Sequence, residues 1–253
     1  MARLYLTGGV RFDGPAGSFT GADLPGNQGR VAIVALAVER RAVARDELAD
    51  ILWGASLPAQ WNGALSTIVS KIRSLLSTIG LDGPQVMTSS GGIYELVLPA
   101  NSWVDLEDAS RRLDRAEGAL RHDDLVTTTQ EATVASSTLR RELLAGVDNP
   151  WVDHVRRRQA EGLYRCLTAL ATAWHRLGDH QLAAIIAETA VEVDPHRELG
   201  YRILMEAEMA RGDRGAAALA LHRCERMLRD ELAVAPSPET ARLADVLRNV
   251  RRP

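Results

Sequence analysis

The sequence predicts a mostly helical protein with a small β component, and three observations support this fold class. Most of the alternating, strand-like segments fall within residues 1–103. From residue 104 onward, apolar residues recur every three or four positions, as amphipathic helices require. A 34-residue repeat runs through part of this second half. We therefore divide the chain into a mixed N-terminal domain, residues 1–103, and an all-helical domain, residues 104–253.

The N-terminal domain is predicted to begin with a short sheet. Residues 3–7 and 10–12 alternate apolar and polar side chains, and the glycines and proline between residues 8 and 17 are typical of turns. Three amphipathic helical patterns follow, at residues 28–39, 45–53 and 62–79. A hairpin is predicted to close the domain, with strands around residues 85–87 and 93–98. The predicted order is thus a sheet, three helices and a hairpin.

The helical half contains an internal repeat. Gly178-Asp179 and Gly212-Asp213 lie 34 residues apart, and each pair separates two helical patterns. Small or apolar residues follow each glycine at equal distances, namely Ala183, Ala187 and Ala190 in the first copy and Ala217, Leu221 and Cys224 in the second. This is the spacing of tetratricopeptide repeats, whose helix pairs stack because one pair alone cannot bury its apolar face. Further helices are predicted around residues 106–120, 124–143, 151–177 and 238–250.

Composition narrows the class of protein. Hydrophobic residues make up 46% of the chain and charged residues 25%, which is typical of a globular protein. Cys166 and Cys224 are far apart and do not suggest a disulfide framework. The N-terminus lacks the pattern of a signal peptide, and no stretch approaches the roughly 18 apolar residues of a membrane span. We expect a cytoplasmic protein that does not contact a membrane.

The motifs of common enzymes are missing from the sequence. It has no GxxxxGK[ST], GxSxG or HExxH pattern. His175 and His180 are five residues apart across the Gly178 turn, a spacing that does not place two metal ligands on one helical face. We predict no enzyme activity, no catalytic residue, no cofactor and no metal ion.

The candidate functional element is the helix at residues 62–79, NGALSTIVSKIRSLLSTI. Its apolar residues form one stripe, made of Leu65, Ile68, Ile72, Leu75 and Ile79. The other face carries hydroxyls and two cations, namely Ser66, Thr67, Ser70, Lys71, Arg73 and Ser74. Small side chains let a helix approach the floor of the DNA major groove, and cations reach phosphates or guanine edges. Asn62 is predicted to be the N-cap, which leaves free backbone donors near a phosphate.

Two interpretations of this helix follow from its residues. It is either a packing helix with a serine-rich, solvated back or a helix that enters a DNA groove. The hairpin that follows it lies where the wing of a winged helix-turn-helix domain is found, which favours DNA binding.

Distinctive segments are spread along nearly the whole chain. They are RDEL at 45–48 with LWG at 52–54, AL at 64–65 with IVSKIR at 68–73 and Leu76, GLY at 162–164, LGD at 177–179, VDP at 193–195 and ELAVAPSPET at 231–240. In these segments the sequence resembles the actinobacterial antibiotic regulatory protein (SARP) family. Members of this family join a winged helix-turn-helix of the response-regulator type to a bacterial transcriptional activator domain.

The resemblance implies a transcriptional activator that binds promoter DNA at direct repeats, self-associates on tandem sites and contacts RNA polymerase. It makes the helix at residues 62–79 the recognition helix, with Lys71 and Arg73 at positions that are usually basic and contact DNA. It makes residues 88–94 the wing, which places Thr88, Ser89 and Ser90 at the DNA.

The wing departs from the family pattern, because its sequence TSSGGIY lacks the usual arginine. Residues 1–103 also hold eight Lys or Arg and eight Asp or Glu, a net charge of zero. Binding through counterion release needs local cations. The alternative function is therefore a helical-repeat adaptor for protein interaction whose winged domain has lost DNA binding. The run Arg156-Arg157-Arg158 is interpreted either as a solvated helix face or as a contact with DNA or the winged domain.

Overall fold

A computed structural model describes residues 1–249, and the contacts within the chain form two compact units. The first unit contains residues 1–108 together with Arg141–Arg158. The second contains Ala109–Arg140 and the chain from Gln159 onward. The boundary predicted from the sequence, after residue 103, is a single one, whereas the first unit also draws on a later segment of the chain.

The first unit has two small sheets. One has the strand order β3-β2-β1-β7, with β1 and β7 parallel and the other pairs antiparallel. Its strands are β1 (Arg3–Tyr5), β2 (Arg11–Gly14), β3 (Gly17–Thr20) and β7 (Trp103–Val104). The other sheet is antiparallel with the order β4-β6-β5. Its strands are β4 (Val43–Ala44), β5 (Met87–Ser90) and β6 (Ile93–Leu96).

Four helices lie between these strands in the sequence. They are α1 (Gly26–Glu39), α2 (Arg45–Trp53), α3 (Trp61–Thr78) and the short α4 (Gly83–Val86). The predicted sheet, three helices and hairpin occur in that order, but the short α4 before the hairpin was not predicted. The first hairpin strand was predicted too early, because Gln85 lies in α4 and the strand begins at Met87.

The segment Arg141–Arg158 packs into the core of the first unit. Leu143, Leu144 and Val152 are buried there. The Asn149 amide nitrogen donates to the carbonyl of Ile51 at 2.8 Å. Burying these side chains stabilises a segment that the sequence pattern assigned wholly to the helical domain.

The same segment contains the triple-arginine run, and Arg156 of that run makes contacts inside the first unit. The Arg156 guanidinium is half-buried and donates to the carbonyls of Leu143 and Leu144 at 3.0 and 2.7 Å. It therefore closes a loop within the first unit, so the interpretation of Arg156 as part of a solvated face is wrong. Arg157 and Arg158 are exposed.

The second unit is helical throughout its described residues. Its helices are α5 (Asp105–Arg121), α6 (Leu125–Leu139), α7 (Pro150–Arg176), α8 (His180–Val193), α9 (Glu198–Ala210), α10 (Arg214–Asp230) and α11 (Pro238–Asn249), with α5 and α7 each beginning in the first unit. The helix predicted at 124–143 ends earlier, at Leu139. Val250, at the end of the helix predicted at 238–250, lies outside the described residues.

The repeat in the second unit has a clear local cause. Asp179 and Asp213 cap α8 and α10, because each carboxylate accepts a hydrogen bond from the backbone N–H three residues later. Gly178 and Gly212 precede them at φ of 87° and 80°, a conformation that favours glycine. The predicted small and apolar positions of both copies are buried.

A third copy of this turn separates α5 from α6. Asp124 caps α6 by accepting from Thr127 N at 3.0 Å, and Asp123 before it has a φ of 59°. The sequence comparison missed this copy because aspartate stands where the other two copies have glycine.

Two histidines contact each other across the Gly178-Asp179 turn. The Nδ1 atoms of His175 and His180 lie 3.2 Å apart, although their spacing in the sequence did not predict a contact. Burial lowers the pKa of His175, and the neighbouring His180 and Arg176 lower it further, while Glu206 opposes them. The folded protein therefore favours neutral His175.

We predict that the second unit loses stability on acidification below about pH 6.5, the ordinary pKa of histidine. With a lowered pKa in the folded state, His175 binds fewer protons there than in the unfolded chain, so the free energy of unfolding falls as the pH drops. Denaturant unfolding of wild type and His175→Gln at several pH values between about 5 and 7.5 measures this, and the variant should show a shallower fall. The matched control is His222→Gln, at an exposed histidine. Equal pH dependence in the His175 variant and wild type would contradict the prediction.

Candidate nucleic-acid interface

Helix α3 has one buried and one exposed face. Leu65, Ile68, Ile72 and Ile79 of the predicted stripe are buried, and Leu75 is half-buried. Val69 and Leu76 add to the buried face. The exposed residues of the opposite face are Asn62, Ser66, Thr67, Ser70, Lys71 and Ser74. The packing of the apolar stripe thus turns a row of small polar side chains toward solvent.

Most hydroxyl groups of this face already donate a hydrogen bond within α3. Ser66, Thr67 and Ser74 donate their hydroxyl protons to the helix carbonyls four residues earlier, at 3.0 to 3.1 Å. Each hydroxyl oxygen can therefore act toward a partner only as an acceptor, and Ser66 Oγ already accepts one hydrogen bond, from Arg45 at 3.0 Å. The Ser70 hydroxyl has no hydrogen-bond partner among residues 1–249 and can donate or accept.

Lys71, the only lysine in the sequence, lies on the exposed face of α3. It is exposed, and within residues 1–249 it forms no ion pair or hydrogen bond. Two other cations of the unit are already paired, since Arg40 binds Glu107 at 3.1 Å and Arg41 binds Glu47. Lys71 is therefore positioned to meet an external anion.

Arg73 has a different environment from Lys71. It is half-buried, its Nε donates to the carbonyl of Met87 at 2.8 Å, and one terminal nitrogen donates to Ser89 Oγ at 2.7 Å. These bonds fasten strand β5 to helix α3. Contact between Arg73 and DNA stays a prediction, because the structure uses two of its donor groups to hold the hairpin.

The predicted role of Asn62 as N-cap is wrong. Helix α3 begins one residue earlier, at Trp61, and its N-cap position is Gln60, which makes no side-chain capping bond. The Asn62 side-chain oxygen instead accepts a hydrogen bond from Arg45 Nε at 2.5 Å. The helix start is thus held from outside, by a residue of α2.

Arg45 is a part of the candidate interface that the sequence prediction of site residues left out. One terminal nitrogen donates to the Asn62 carbonyl at 2.7 Å and to Ser66 Oγ at 3.0 Å. Its guanidinium also lies about 6 Å from the ring centres of Trp61 and Tyr94. These contacts join residues 16 or more positions apart, so local sequence periodicity does not reveal them.

The hairpin made by β5 and β6 turns at two glycines. Gly91 and Gly92 have φ of 58° and 78°, so both central residues are left-handed, as a type I′ turn requires. Ser89 and Ser90 are exposed beside this turn. Thr88 is half-buried and donates weakly to the carbonyl of Glu95 at 3.4 Å.

Two other features are absent from the described residues, a metal-holding group and a membrane-spanning helix. Among residues 1–249, no group of three or more His, Cys, Asp or Glu is arranged to hold a metal ion. No helix of this range is both long and apolar enough to cross a membrane.

Comparison with known proteins agrees with this architecture. The family model of the bacterial transcriptional activator domain matches residues 104–248, more than half of the chain. Regulatory protein AfsR of Streptomyces coelicolor is 32% identical over 213 residues, which are 83% of this chain and 21% of AfsR. Transcriptional regulatory protein MoaR1 of Mycobacterium tuberculosis is 27% identical over 83% of this chain and 68% of its own length. The chain thus matches about a fifth of the length of AfsR.

A solved structure supports the fold. Mycobacterium tuberculosis EmbR, determined in complex with a low-affinity phosphopeptide, superposes with a TM-score of 0.85 over 100% of this chain and 66% of EmbR, at 21% sequence identity. The match to the bacterial transcriptional activator domain, together with relatives that are named as regulatory proteins, places this chain in the class of transcriptional regulators. Within that class, this chain belongs to the antibiotic regulatory protein family and carries its bacterial transcriptional activator domain.

We predict that Arg73 stabilises the hairpin and that Lys71 does not. Arg73→Gln should lower the free energy of unfolding by about 2 kcal/mol, because it removes two charge-assisted hydrogen bonds, one of them part-buried. It should also speed amide exchange in β5. Lys71→Gln is the matched control, with the same change in charge two residues away, and should change the free energy of unfolding by less than about 0.5 kcal/mol. Denaturant unfolding and amide hydrogen exchange measure both effects, and equal results for the two variants would contradict the assignment.

Proposed function

We propose that this chain is a DNA-binding transcriptional activator that reads promoter direct repeats with α3. The observation that carries the proposal is the exposed hydroxyl face of α3, on which Lys71 is free of partners among the described residues. The B-DNA major groove is about 12 Å wide and admits an α-helix. Serine and threonine side chains are short, so the backbone of α3 can come close to the base edges.

The hydroxyl directions suggest how bases are read. Thr67 and Ser74 keep their hydroxyl oxygens as free acceptors, and Ser66 keeps one lone pair beside the bond that it accepts from Arg45. Acceptors suit the amino groups that adenine and cytosine present in the major groove. Lys71 suits a phosphate oxygen or the acceptors of guanine. Phosphate contacts fix the position of a protein on DNA, whereas contacts to base edges determine sequence preference.

The charge of the domain explains why tandem sites are part of the proposal. Residues 1–103 have a net charge of zero, and several arginines of the first unit are engaged in internal contacts. One copy therefore has few cations to offer to phosphates and is expected to bind weakly. Two copies on adjacent direct repeats bind more tightly, because the second binding event takes place at a high effective concentration.

The helical domain supplies the other proposed partners. Stacked helix pairs present extended surfaces for protein binding, and the family resemblance assigns them contact with RNA polymerase and self-association on DNA. Since promoter DNA is the proposed partner, the proposed location is the bacterial cytoplasm. We propose no cofactor and no enzyme activity.

We predict that Lys71→Gln weakens DNA binding and lowers its salt dependence. The duplex for this test is one that the protein itself selects from a random pool. Loss of one phosphate contact should raise Kd about tenfold, as expected for one charge-assisted hydrogen bond. It should also reduce the slope of log K against log salt by about 0.9. Titrations at four or more salt concentrations measure both quantities.

The control for this titration is Arg229→Gln, which makes the same change in charge in α10 of the helical domain. It should leave both Kd and the salt slope at their wild-type values. Failure of the wild-type protein to enrich any duplex would favour the alternative, a protein-interaction adaptor whose winged domain no longer binds DNA. The observation that favours this alternative is the zero net charge of residues 1–103.

A further inference from the structure

A single side chain connects the two elements that are proposed to meet DNA. Arg45 is the first residue of α2, and its guanidinium makes three hydrogen bonds to the start of α3. The acceptors are the Asn62 side chain, the Asn62 carbonyl and the Ser66 hydroxyl, at 2.5 to 3.0 Å. The first turn of α3 is therefore tied to the N-terminus of α2.

The same residue also contacts the hairpin. Arg45 N donates to the carbonyl of Gly92, in the hairpin turn, at 2.8 Å. Its guanidinium lies 6.0 Å from the ring centre of Tyr94 in β6 and 5.9 Å from that of Trp61 in α3, within the range of cation–π attraction. Through its backbone and its side chain together, Arg45 sets the distance between the recognition helix and the hairpin.

These contacts use three of the five N–H donors of the Arg45 guanidinium. Its Nε and one terminal nitrogen are engaged, and the side chain is half-buried. An arginine whose purpose is to neutralise a phosphate would instead extend into solvent, as Lys71 does. The environment of Arg45 is that of a group that orders its neighbours.

We propose that Arg45 is a positioning residue for DNA reading, one that fixes α3 and the hairpin at the separation that the duplex requires, and is not a phosphate contact. This inference rests on the proposed function. The chemistry requires arginine, because a planar guanidinium can bond two acceptors with different nitrogens and lie beside an aromatic ring at the same time. Lysine keeps the charge but offers only a single nitrogen atom.

Two substitutions at this position separate the two roles. Arg45→Lys retains the positive charge and loses the fork of donors, whereas Arg45→Gln loses both. The control is Arg41→Lys, which lies four residues earlier and pairs with Glu39 and Glu47. Each variant is titrated with the selected duplex over a range of salt concentrations, and its amide hydrogen exchange is measured without DNA.

Positioning by Arg45 predicts that Arg45→Lys raises Kd about tenfold with an unchanged salt slope, because no phosphate contact is lost. Without DNA, the same variant should exchange faster in the first turn of α3 and at the hairpin turn. Arg41→Lys should match wild type in both experiments. If Arg45→Lys instead binds like wild type, and Arg45→Gln lowers the salt slope by about 0.9, Arg45 is a phosphate contact and the proposal is overturned. Wild-type binding and slope in both variants would overturn it as well.

The DNA-free experiment distinguishes failure of this inference from failure of the proposed function. If the wild-type protein binds no duplex, the proposed function fails, and positioning for DNA reading fails with it. Faster exchange in Arg45→Lys would then still show that the contacts order α3 and the hairpin. If the wild-type protein binds DNA and exchange in Arg45→Lys is unchanged, only the inference about Arg45 is overturned.

Discussion

The candidate interface depends on the burial of the apolar stripe of α3. Leu65, Ile72 and Leu76 have no solvent exposure in the structure. Burying each of these side chains is worth roughly 1.5–3 kcal/mol relative to leaving it exposed. Rotating the helix to hide its hydroxyl face would expose all of them, so the orientation of α3 is fixed by its core contacts. The polar face is available to a partner because the opposite face is not.

Three arginines of the first unit make hydrogen bonds inside the protein. Arg45 holds the start of α3, Arg73 holds strand β5, and Arg156 closes the loop before α7. These guanidinium groups act as multiple donors toward carbonyl and hydroxyl oxygens, which is the chemistry in which arginine differs from lysine. Lys71, with a single ammonium group, is the cation left outward on α3. Recognition by this domain would therefore depend more on shape and hydroxyl contacts than on charge.

The parts of the fold that local patterns determine could be read from the sequence. The stripe of α3 was predicted because its period matches the helix, and the Asp179 and Asp213 turns because their glycines repeat. Strands β4 and β7 were not predicted, since each has two residues and is defined by pairing with a distant strand. The packing of Arg141–Arg158 in the first unit was missed for the same reason: its apolar residues fit a helical pattern but have partners far away in the sequence.

The candidate site shows the same division. Exposure of Ser66, Thr67 and Lys71 followed from helical periodicity. The cap predicted at Asn62 failed because α3 begins at Trp61, which places Asn62 inside the helix, where its side chain binds Arg45, 17 residues earlier. Hydrogen bonds between elements depend on the assembled fold and leave little trace in any short window of sequence.

Lys71 offers a direct test of contact between the polar face of α3 and DNA, because it is the only lysine in the chain. Reductive methylation with ¹³C-formaldehyde labels its amine and keeps the charge, and NMR observes it alongside the N-terminal amine alone. Titration with the selected duplex should shift the Lys71 methyl signal in step with binding, and bound DNA should slow the labelling of unmodified Lys71. An unshifted signal and an unchanged labelling rate on the DNA-bound protein would contradict the account.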